Sequence, residues 1–290
     1  MYFFVNPLVC QSAYDTLLHH NRRTLHRMAA ESAMEVLAET GSVSSPLVAY
    51  HWSMAGMIPE AVEWGLKALD MFMSAFQHVE AISWINRLEE MLLGWEDERR
   101  DGLLFQVLMR CEKTLALTGS TRRRKTVLDK LCLMTETDCC ADQLTWVLIE
   151  LGGYYYKTGN REEAASCYRR ALEAASSLDQ DEQQALILNR LGHLELNMGN
   201  ILQAELYLKD ALDIARESEA GTIETSVLID LGTFNLNRGN AAEALDFYKK
   251  GKELAESAGD RQRKVKVLAN IGMTLSLLGR GAEALDRFQQ

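Results

Sequence analysis

The residues of this sequence best suited to chemistry are its histidines, which are densest at His19, His20 and His26. A structural metal ion needs about four converging ligands. The spacing of these three side chains brings no four ligands together, so a solvated or interface helix is the simpler interpretation. The sequence also lacks the patterns H-E-x-x-H, G-x-x-x-x-G-K-[ST] and G-x-S-x-G. We therefore expect a protein that is not an enzyme and holds no metal and no cofactor.

One stretch has the residue spacing of a nucleotide-binding pattern. Gly279, Gly281 and Ala284 have the spacing G-x-G-x-x-A. In dinucleotide-binding folds this pattern follows a strand. Here it follows a helical pattern and coincides with a turn that recurs along the chain, so we interpret it as a turn.

The strongest run of charge is Arg122-Arg123-Arg124-Lys125. It lies at the predicted start of a helix, where the helix dipole disfavours cations. Two interpretations remain open: a solvated turn, or a docking patch for an acidic partner or a phosphate.

The elements that must position any functional side chain are repeats of forty residues. The pattern begins with Leu151-Gly152, continues with Gly159-Asn160 and ends with Ala164. Its copies are Leu191-Gly192 with Gly199-Asn200 and Ala204, Leu231-Gly232 with Gly239-Asn240 and Ala244, and Ile271-Gly272 with Gly279 and Ala284. A fixed period of this size indicates a solenoid.

Each repeat predicts two helices joined by a tight turn. An apolar stripe at helical spacing precedes Leu151-Gly152, and the glycine allows a neighbouring helix to approach closely. The first helix should end at Gly159, which can adopt the left-handed conformation. Asn160 should then cap the second helix, with Glu163 completing a capping box. The other copies of the capping pair are Asn200 with Gln203 and Asn240 with Glu243.

These residues resemble the tetratricopeptide repeat, a pattern of Leu-Gly, Tyr, Gly, Ala, Tyr or Phe, and Ala at fixed offsets. The resemblance covers residues 141–290. It implies an all-α fold, a right-handed α-solenoid of helix-turn-helix hairpins. The usual period is about 34 residues, so forty residues imply longer helices, similar to the extended repeats of scaffolds such as kinesin light chain.

The resemblance also implies where a ligand binds. In this family the first helices of successive units line a concave groove, and contacts come from the second, fifth, ninth, twelfth and thirteenth positions of each repeat. Carried onto this chain, the candidate ligand-binding residues are Trp146, Tyr156, Lys157, Asn189, His193, Asn197, Ile229, Asn237 and Lys266. Asparagine amides beside apolar patches suit an extended peptide, because amides can pair with its backbone.

Alternatives to ligand binding remain open for these positions. The two aromatic residues could pack between adjacent repeats, and the three asparagines could be solvated surface. The family's clamp for a C-terminal carboxylate needs several inner-face cations, and only Lys157 and Lys266 fall at matching positions. We therefore do not expect binding of chaperone tails.

The amino-acid composition indicates the general class of the protein and limits its possible ligands. The chain has 290 residues, of which 47% are hydrophobic and 25% charged, with three prolines, as in a helix-rich globular protein. No apolar run approaches the roughly 18 residues that span a bilayer, and the N-terminus lacks the features of a secretion signal. A net charge of −10 argues against direct binding to nucleic acid or to an anionic membrane. We expect a cytoplasmic protein.

The cysteines form no C-x-x-C pair and mostly occupy apolar-face positions. We interpret them as reduced core thiols. The six are Cys10, Cys111, Cys132, Cys139, Cys140 and Cys167.

The N-terminal part, residues 1–42, resembles a junction in bacterial signal-transduction ATPases of the STAND type and in cyclase-linked regulators. There an ATPase core and its winged-helix tail give way to helical repeats. The matching residues are Phe3-Phe4-Val5-Asn6-Pro7-Leu8, Ala13-Tyr14-x-x-Leu17 and Arg22-x-x-Leu25-His26. The relatives have histidine where this chain has Asn6. Apolar spacing predicts two helices here, broken near His19–Asn21.

The remaining chain divides into two predicted regions. Residues 43–137 look like degenerate repeat hairpins, because Ala49-Tyr50-His51-Trp52 resembles the segment that opens the repeat array in the same proteins. Residues 138–290 contain four units of the forty-residue period, the last one incomplete. An uncapped solenoid end exposes apolar surface, which predicts either a truncated chain or a partner there.

These patterns lead to one main hypothesis. The chain is expected to be a non-catalytic sensor or scaffold region of a larger bacterial signalling protein, which binds a protein or peptide in its groove. The attached output would be an ATPase, cyclase, kinase or DNA-binding domain. The alternative is a stand-alone receptor for a small molecule or short signalling peptide. A homodimer through the terminal helices is possible in either case.

Overall fold

The computed structural model describes residues 14–40, 44–138 and 141–281, together with residues 12 and 283. Every regular element in these ranges is an α-helix. The chain forms two compact units, Met1–Met134 and Thr135–Gln290. The predicted all-α class, built from helices in consecutive packed pairs, is confirmed. None of the described helices is both long enough and apolar enough to span a bilayer.

Besides the helical residues 14–16, the described part of the first unit contains six helices, the last of which runs past the unit's boundary. They are α1 (His19–Thr40), α2 (Ser45–Ala55), α3 (Ile58–Ser74), α4 (His78–Leu93), α5 (Arg100–Thr118) and α6 (Thr121–Asp138). Each helix from α1 to α4 packs on the next one along the chain. At the α1–α3 end, the buried residues Ala30, Val48, Trp52 and Ala61 form a core cluster.

The predicted break between the two N-terminal helices is displaced by two residues. Residues 14–16 are helical, Leu17 and Leu18 are not, and His19 already belongs to α1. The Arg22 guanidinium donates to the Leu17 carbonyl at 3.0 Å, and the Arg22 backbone N–H donates to the Leu18 carbonyl at 3.1 Å. These bonds hold His19–Asn21 in the first turn of α1. The predicted motif at residues 3–8 lies outside the described residues.

The basic run at residues 122–125 is not a solvated turn. It forms the beginning of α6, where the Arg124 side chain is only 7% exposed and pairs with Glu112 on α5. Arg124 Nε donates to Glu112 Oε1 at 2.6 Å. Arg123 contacts Glu89 on α4. A buried cation needs such a partner, because removing its hydration is costly. The run therefore ties α6 to its neighbours.

The second unit consists of helical hairpins. Its described helices are α7 (Ala141–Lys157), α8 (Arg161–Ser177), α9 (Asp181–Met198), α10 (Ile201–Glu217), α11 (Gly221–Asn237), α12 (Ala241–Ser257) and α13 (Arg261–Leu277). The closest packing is within the hairpins α7–α8, α9–α10 and α11–α12. The first helices also pack side by side, α7 with α9, α9 with α11 and α11 with α13. This arrangement aligns the inner faces of α7, α9, α11 and α13.

The recurring glycines act as predicted. A β-carbon built on Gly152 would lie 2.5 Å from a ring carbon of Tyr168, and one on Gly232 would lie 2.4 Å from a ring carbon of Tyr248. Only glycine allows the two helices of a hairpin to pack so closely. Gly159 ends the first helix of its hairpin with φ at +86°, a conformation that glycine adopts without steric cost.

The predicted capping boxes are wrong. Asn160, Asn200 and Asn240 occupy the N-cap positions, yet none accepts a helix N–H through its side chain. The backbone N–H of Asn160 instead donates to the Tyr155 carbonyl at 2.9 Å, and the equivalent bond recurs at the other two turns. Such bonds close the first helix in a Schellman motif. Because the turn is so short, the asparagine must finish one helix while it begins the next.

Three cysteines lie in the described part with placed side chains. Cys111 and Cys167 are buried, and Cys132 is half-buried. Burial raises the pKa of Cys111 to about 11. The burial of Cys111 and Cys167 agrees with the predicted core positions, and the reduced state of the thiols stays a prediction. Cys10, Cys139 and Cys140 lie outside the described residues.

Candidate binding site

Two adjoining cavities open on the aligned faces of the first helices of the second unit. The smaller has a volume of about 160 Å³ and the larger about 420 Å³. Both are lined by Asn189, Arg190, Asp230 and Lys266. The smaller one adds Tyr156, Tyr168 and His193, and the larger one adds Leu186, Ser226, Ile229, Gln262 and Arg263. We call the two cavities together the inner-helix cleft.

A buried acid lies at the centre of the cleft. Asp230 on α11 is 8% exposed, although it stands in the apolar run that packs this helix. Burial raises the pKa of its carboxyl group, while His193, Lys266 and Arg190 act in the opposite direction through their charges. A side-chain hydrogen bond from Asn189 also favours the charged form. The helices α9 and α13 therefore supply groups that partly offset the effect of burial on this acid.

Asn189 brings an unsatisfied acceptor into the same cleft. The residue as a whole is 5% exposed and lines both cavities. The buried Oδ1 atom receives no hydrogen bond from any residue that the structure describes. A buried polar atom without a partner costs about 1–3 kcal/mol. The Asn189 carbonyl oxygen is therefore an acceptor in the wall of the cleft that the described residues leave without a donor.

A polar network borders the smaller cavity. Asn197 Nδ2 donates to the Tyr156 hydroxyl at 3.0 Å and lies 3.2 Å from His193 Nδ1. The Tyr156 and His193 rings meet edge to face, with their centroids 5.5 Å apart. The network joins the ends of α7 and α9. It holds two cavity-lining rings in place.

The structure brings together some of the nine sequence-predicted residues and separates others. Tyr156, Asn189, His193 and Lys266 line the smaller cavity, and Asn197 holds two of them. Ile229 lines the larger cavity but is 1% exposed and belongs to the core beside α12 and α13. The other three, Trp146, Lys157 and Asn237, line neither cavity. Trp146 is half-buried, whereas the last two are exposed at helix ends.

Sequence reasoning missed two central residues, Arg190 and Asp230. Both occupy the sixth position of their repeat, directly before the Leu-Gly pair, and the family's usual contact positions leave it out. A signal was present: Asp230 interrupts the apolar run Val227-Leu228-Ile229-Asp230-Leu231. A charged residue inside such a run must have compensating partners. Tyr168, Gln262 and Arg263 were also missed, whereas Ser226 occupies one of the family's contact positions, the second of its repeat.

The first unit contains other polar features, but none of the nine predicted ligand-binding residues lies in it. A cavity of about 600 Å³ lies between the beginnings of α3 and α5, and Glu60, Glu63 and Arg99 are among its lining residues. The predicted histidine region contains a pair in which His26 Nδ1 lies 2.9 Å from His51 Nδ1. In the described ranges, no three histidine, cysteine, aspartate or glutamate side chains converge as metal ligands would.

Comparison with known families agrees with the repeat pattern of the second unit. The family model for the tetratricopeptide repeat matches residues 143–217 and 224–290. Both stretches belong to the tetratricopeptide repeat family. None of the curated proteins is significantly similar to the chain.

Solved structures share the fold at low sequence identity. Aspartyl phosphate phosphatase F from Bacillus subtilis aligns with a TM-score of 0.66 and 16% identity, over 88% of this chain and 62% of that one. A STAND protein from Pyrococcus horikoshii with a tetratricopeptide repeat sensor aligns with a TM-score of 0.64 and 14% identity. The alignment covers 97% of this chain but only 43% of that protein. A Rap conjugation gene regulator of the plasmid pLS20, solved with a bound peptide, aligns with a TM-score of 0.60 and 14% identity. That alignment covers 79% of this chain and 73% of the regulator.

Proposed function

We propose that this chain is a non-catalytic binding module that holds a peptide, or an extended segment of a protein, in the inner-helix cleft. The unsatisfied Asn189 carbonyl oxygen carries this proposal. An extended peptide presents a backbone N–H at every second residue on each side, so it can satisfy this acceptor without a specific sequence. The apolar side chains Leu186 and Ile229 in the larger cavity provide contact area for its side chains.

The comparisons support this proposal through the fold. One solved relative is a regulator with a bound peptide, and another is a signalling ATPase in which the repeats are called a sensor. We extend the proposal to a cytoplasmic sensor or scaffold region of a larger bacterial signalling protein. Its attached output would be an ATPase, cyclase, kinase or DNA-binding domain. A reading frame that continues upstream into a phosphate-binding loop would support this part, and its absence would favour a stand-alone receptor.

The mechanism of such a sensor would follow from the repeat architecture. Each hairpin packs only on its neighbours, so a ligand that spans α9, α11 and α13 would favour one relative placement of three successive units. Asn189 and Arg190 come from α9, Asp230 from α11 and Lys266 from α13. Binding would therefore be transmitted along the stack as a change in its curvature. Nucleic acid and membrane are not expected ligands, and a homodimer through the terminal helices remains part of the hypothesis.

The test is selection of random peptides displayed on phage, with the immobilised chain Met1–Gln290 as the target. Enriched peptides would be synthesised with a fluorescent label and measured by fluorescence polarisation. Asn189→Leu keeps the side-chain volume but removes the acceptor, so it should weaken binding about tenfold or more. His193→Ala, on the wall of the smaller cavity, is a second variant should Asn189→Leu lower the unfolding temperature.

The matched control is Asn237→Ala, which changes an exposed asparagine outside both cavities and should leave the affinity unchanged. Enriched peptides that bind both cavity variants as tightly as the wild type would show that the ligand lies elsewhere. If selection enriches no peptide, peptide binding is wrong. The combined volume of the cleft would then favour the second candidate, a receptor for a small molecule, because ligand pockets commonly measure about 300–1,000 Å³.

A further inference from the structure

We propose that the inner-helix cleft selects acidic peptides: an aspartate or glutamate side chain of the ligand lies between Arg190 and Lys266, while a neighbouring backbone N–H donates to Asn189. This inference rests on the proposed function and names the ligand class for that same site. It concerns a side-chain carboxylate within a peptide. It does not need a free C-terminus.

The first observation is the sign of the exposed charge in the cleft. The residues that line the larger cavity include three cations, Arg190, Arg263 and Lys266, and a single acid, Asp230. The whole chain carries a net charge of −10. A positive cleft attracts anionic ligands even on a protein whose net charge is negative.

The second observation is that two of these cations remain available. Arg263 is engaged, because it forms an ion pair with Asp260 and donates to the Ser226 hydroxyl at 3.0 Å. Arg190 and Lys266 are exposed, and neither forms a salt bridge or a side-chain hydrogen bond with another described residue. Their only resolved interaction with an acid is the longer-range attraction to Asp230.

The third observation is the depth of the acid. Asp230 is 8% exposed, whereas the two available cations are exposed at the opening of the cleft. A ligand therefore meets the cations first. A lysine or arginine side chain would have to pass two like charges to reach Asp230. A carboxylate can instead accept charge-assisted hydrogen bonds from both cations, which are among the stronger interactions of polar groups.

The unpartnered and buried side-chain oxygen of Asn189, a residue that is 5% exposed, completes the site. Asn189 and Arg190 are consecutive on α9, so an acceptor for a backbone N–H stands beside a donor for an acidic side chain. An acidic peptide presents both groups, the carboxylate of one residue and the backbone N–H of its neighbour. The cleft therefore provides complementary partners for an aspartate or glutamate within an extended chain.

The test uses the phage selection described above, in which peptides are displayed through their C-termini and have no free α-carboxylate. We expect Asp and Glu to be enriched at one position. The best peptide is then made with an amidated C-terminus in three forms, with Glu, Gln or Lys at that position. For the wild type, the Glu form should bind about tenfold more tightly than the Gln form, and the Lys form should bind more weakly still.

Three variants separate the charges. Arg190→Gln and Lys266→Gln are at exposed positions and should each reduce the preference for Glu over Gln, and the double variant should abolish it. Asp230→Asn removes the like charge beneath the ligand and should tighten binding of the Glu form roughly threefold or more. The control Lys157→Gln removes an exposed cation of the same unit that lines neither cavity. It should change nothing.

The outcomes are distinguishable. Enriched peptides without any acidic preference, or a Glu preference that survives the double variant, overturn this inference and leave the proposed function standing. Failure to enrich any peptide overturns both. Enriched peptides whose Lys form binds best would show that Asp230, and not the cations, determines selectivity.

Discussion

Replacement of Gly152 by alanine tests the close packing of the two helices in a hairpin. The new β-carbon would lie 2.5, 2.7 and 3.0 Å from three ring atoms of Tyr168, which is 2% exposed in the core. Non-bonded carbons prefer separations of about 3.5–4.0 Å, so the ring or the helix must move by about 1 Å. Overpacking of a core typically costs about 1–3 kcal/mol. Against this, alanine gains roughly 0.5–1 kcal/mol over glycine inside a helix.

The adjacent Gly153 provides a matched control on the same helix. A β-carbon there would meet only the Tyr168 hydroxyl, at 3.8 Å. Because the gain in helix propensity is the same for both glycines, the stability difference between Gly152→Ala and Gly153→Ala isolates the steric cost. We expect Gly153→Ala to be the more stable of the two by about 1–3 kcal/mol.

The assay is urea denaturation followed by circular dichroism, with hydrogen exchange of peptides from α7 and α8 to localise the effect. In a Tyr168→Ala background the difference between the two glycine variants should vanish, because the ring is gone. Equal stability of Gly152→Ala and Gly153→Ala in the otherwise unchanged chain would refute the packing argument.

Two further predictions concern the first unit. Burial and the nearby His51 lower the pKa of His26, and burial lowers the pKa of His51, so the folded state resists their protonation. Stability should be highest above the ordinary histidine pKa of 6.5 and should fall as the pH drops below it. Thermal unfolding at a series of pH values measures this slope of stability against pH. The slope should flatten in His51→Phe but not in the control His20→Gln, which changes an exposed histidine. Arg124→Gln should cost about 3–5 kcal/mol by leaving Glu112 buried without its partner. Combining Arg124→Met with Glu112→Leu should recover most of that loss, and a cost below about 1 kcal/mol for the single change would contradict a buried ion pair.

The repeat period and the glycine pattern predicted the hairpins of the second unit because both report local requirements. An apolar stripe at helical spacing can only be buried by a neighbouring helix, and Gly152 is needed wherever that neighbour carries a large side chain such as Tyr168. The left-handed Gly159 follows from the same local logic. The capping boxes failed because Asn160 has two tasks in one short turn. Its backbone N–H closes the preceding helix, and its side chain accepts no N–H from the helix that follows.

The sequence by itself determined the class of the protein, the positions of its hairpins and the helices on which a ligand site would lie. Only the tertiary structure decided which side chains form the candidate site. Asn189, Arg190, Asp230 and Lys266 come from three different helices, and their convergence depends on how successive hairpins are stacked. Burial is likewise a property of the stack. It makes Asp230 a buried acid and leaves Lys266 exposed. The apolar run around Asp230 indicates its burial, but only the stack shows which cations lie near it.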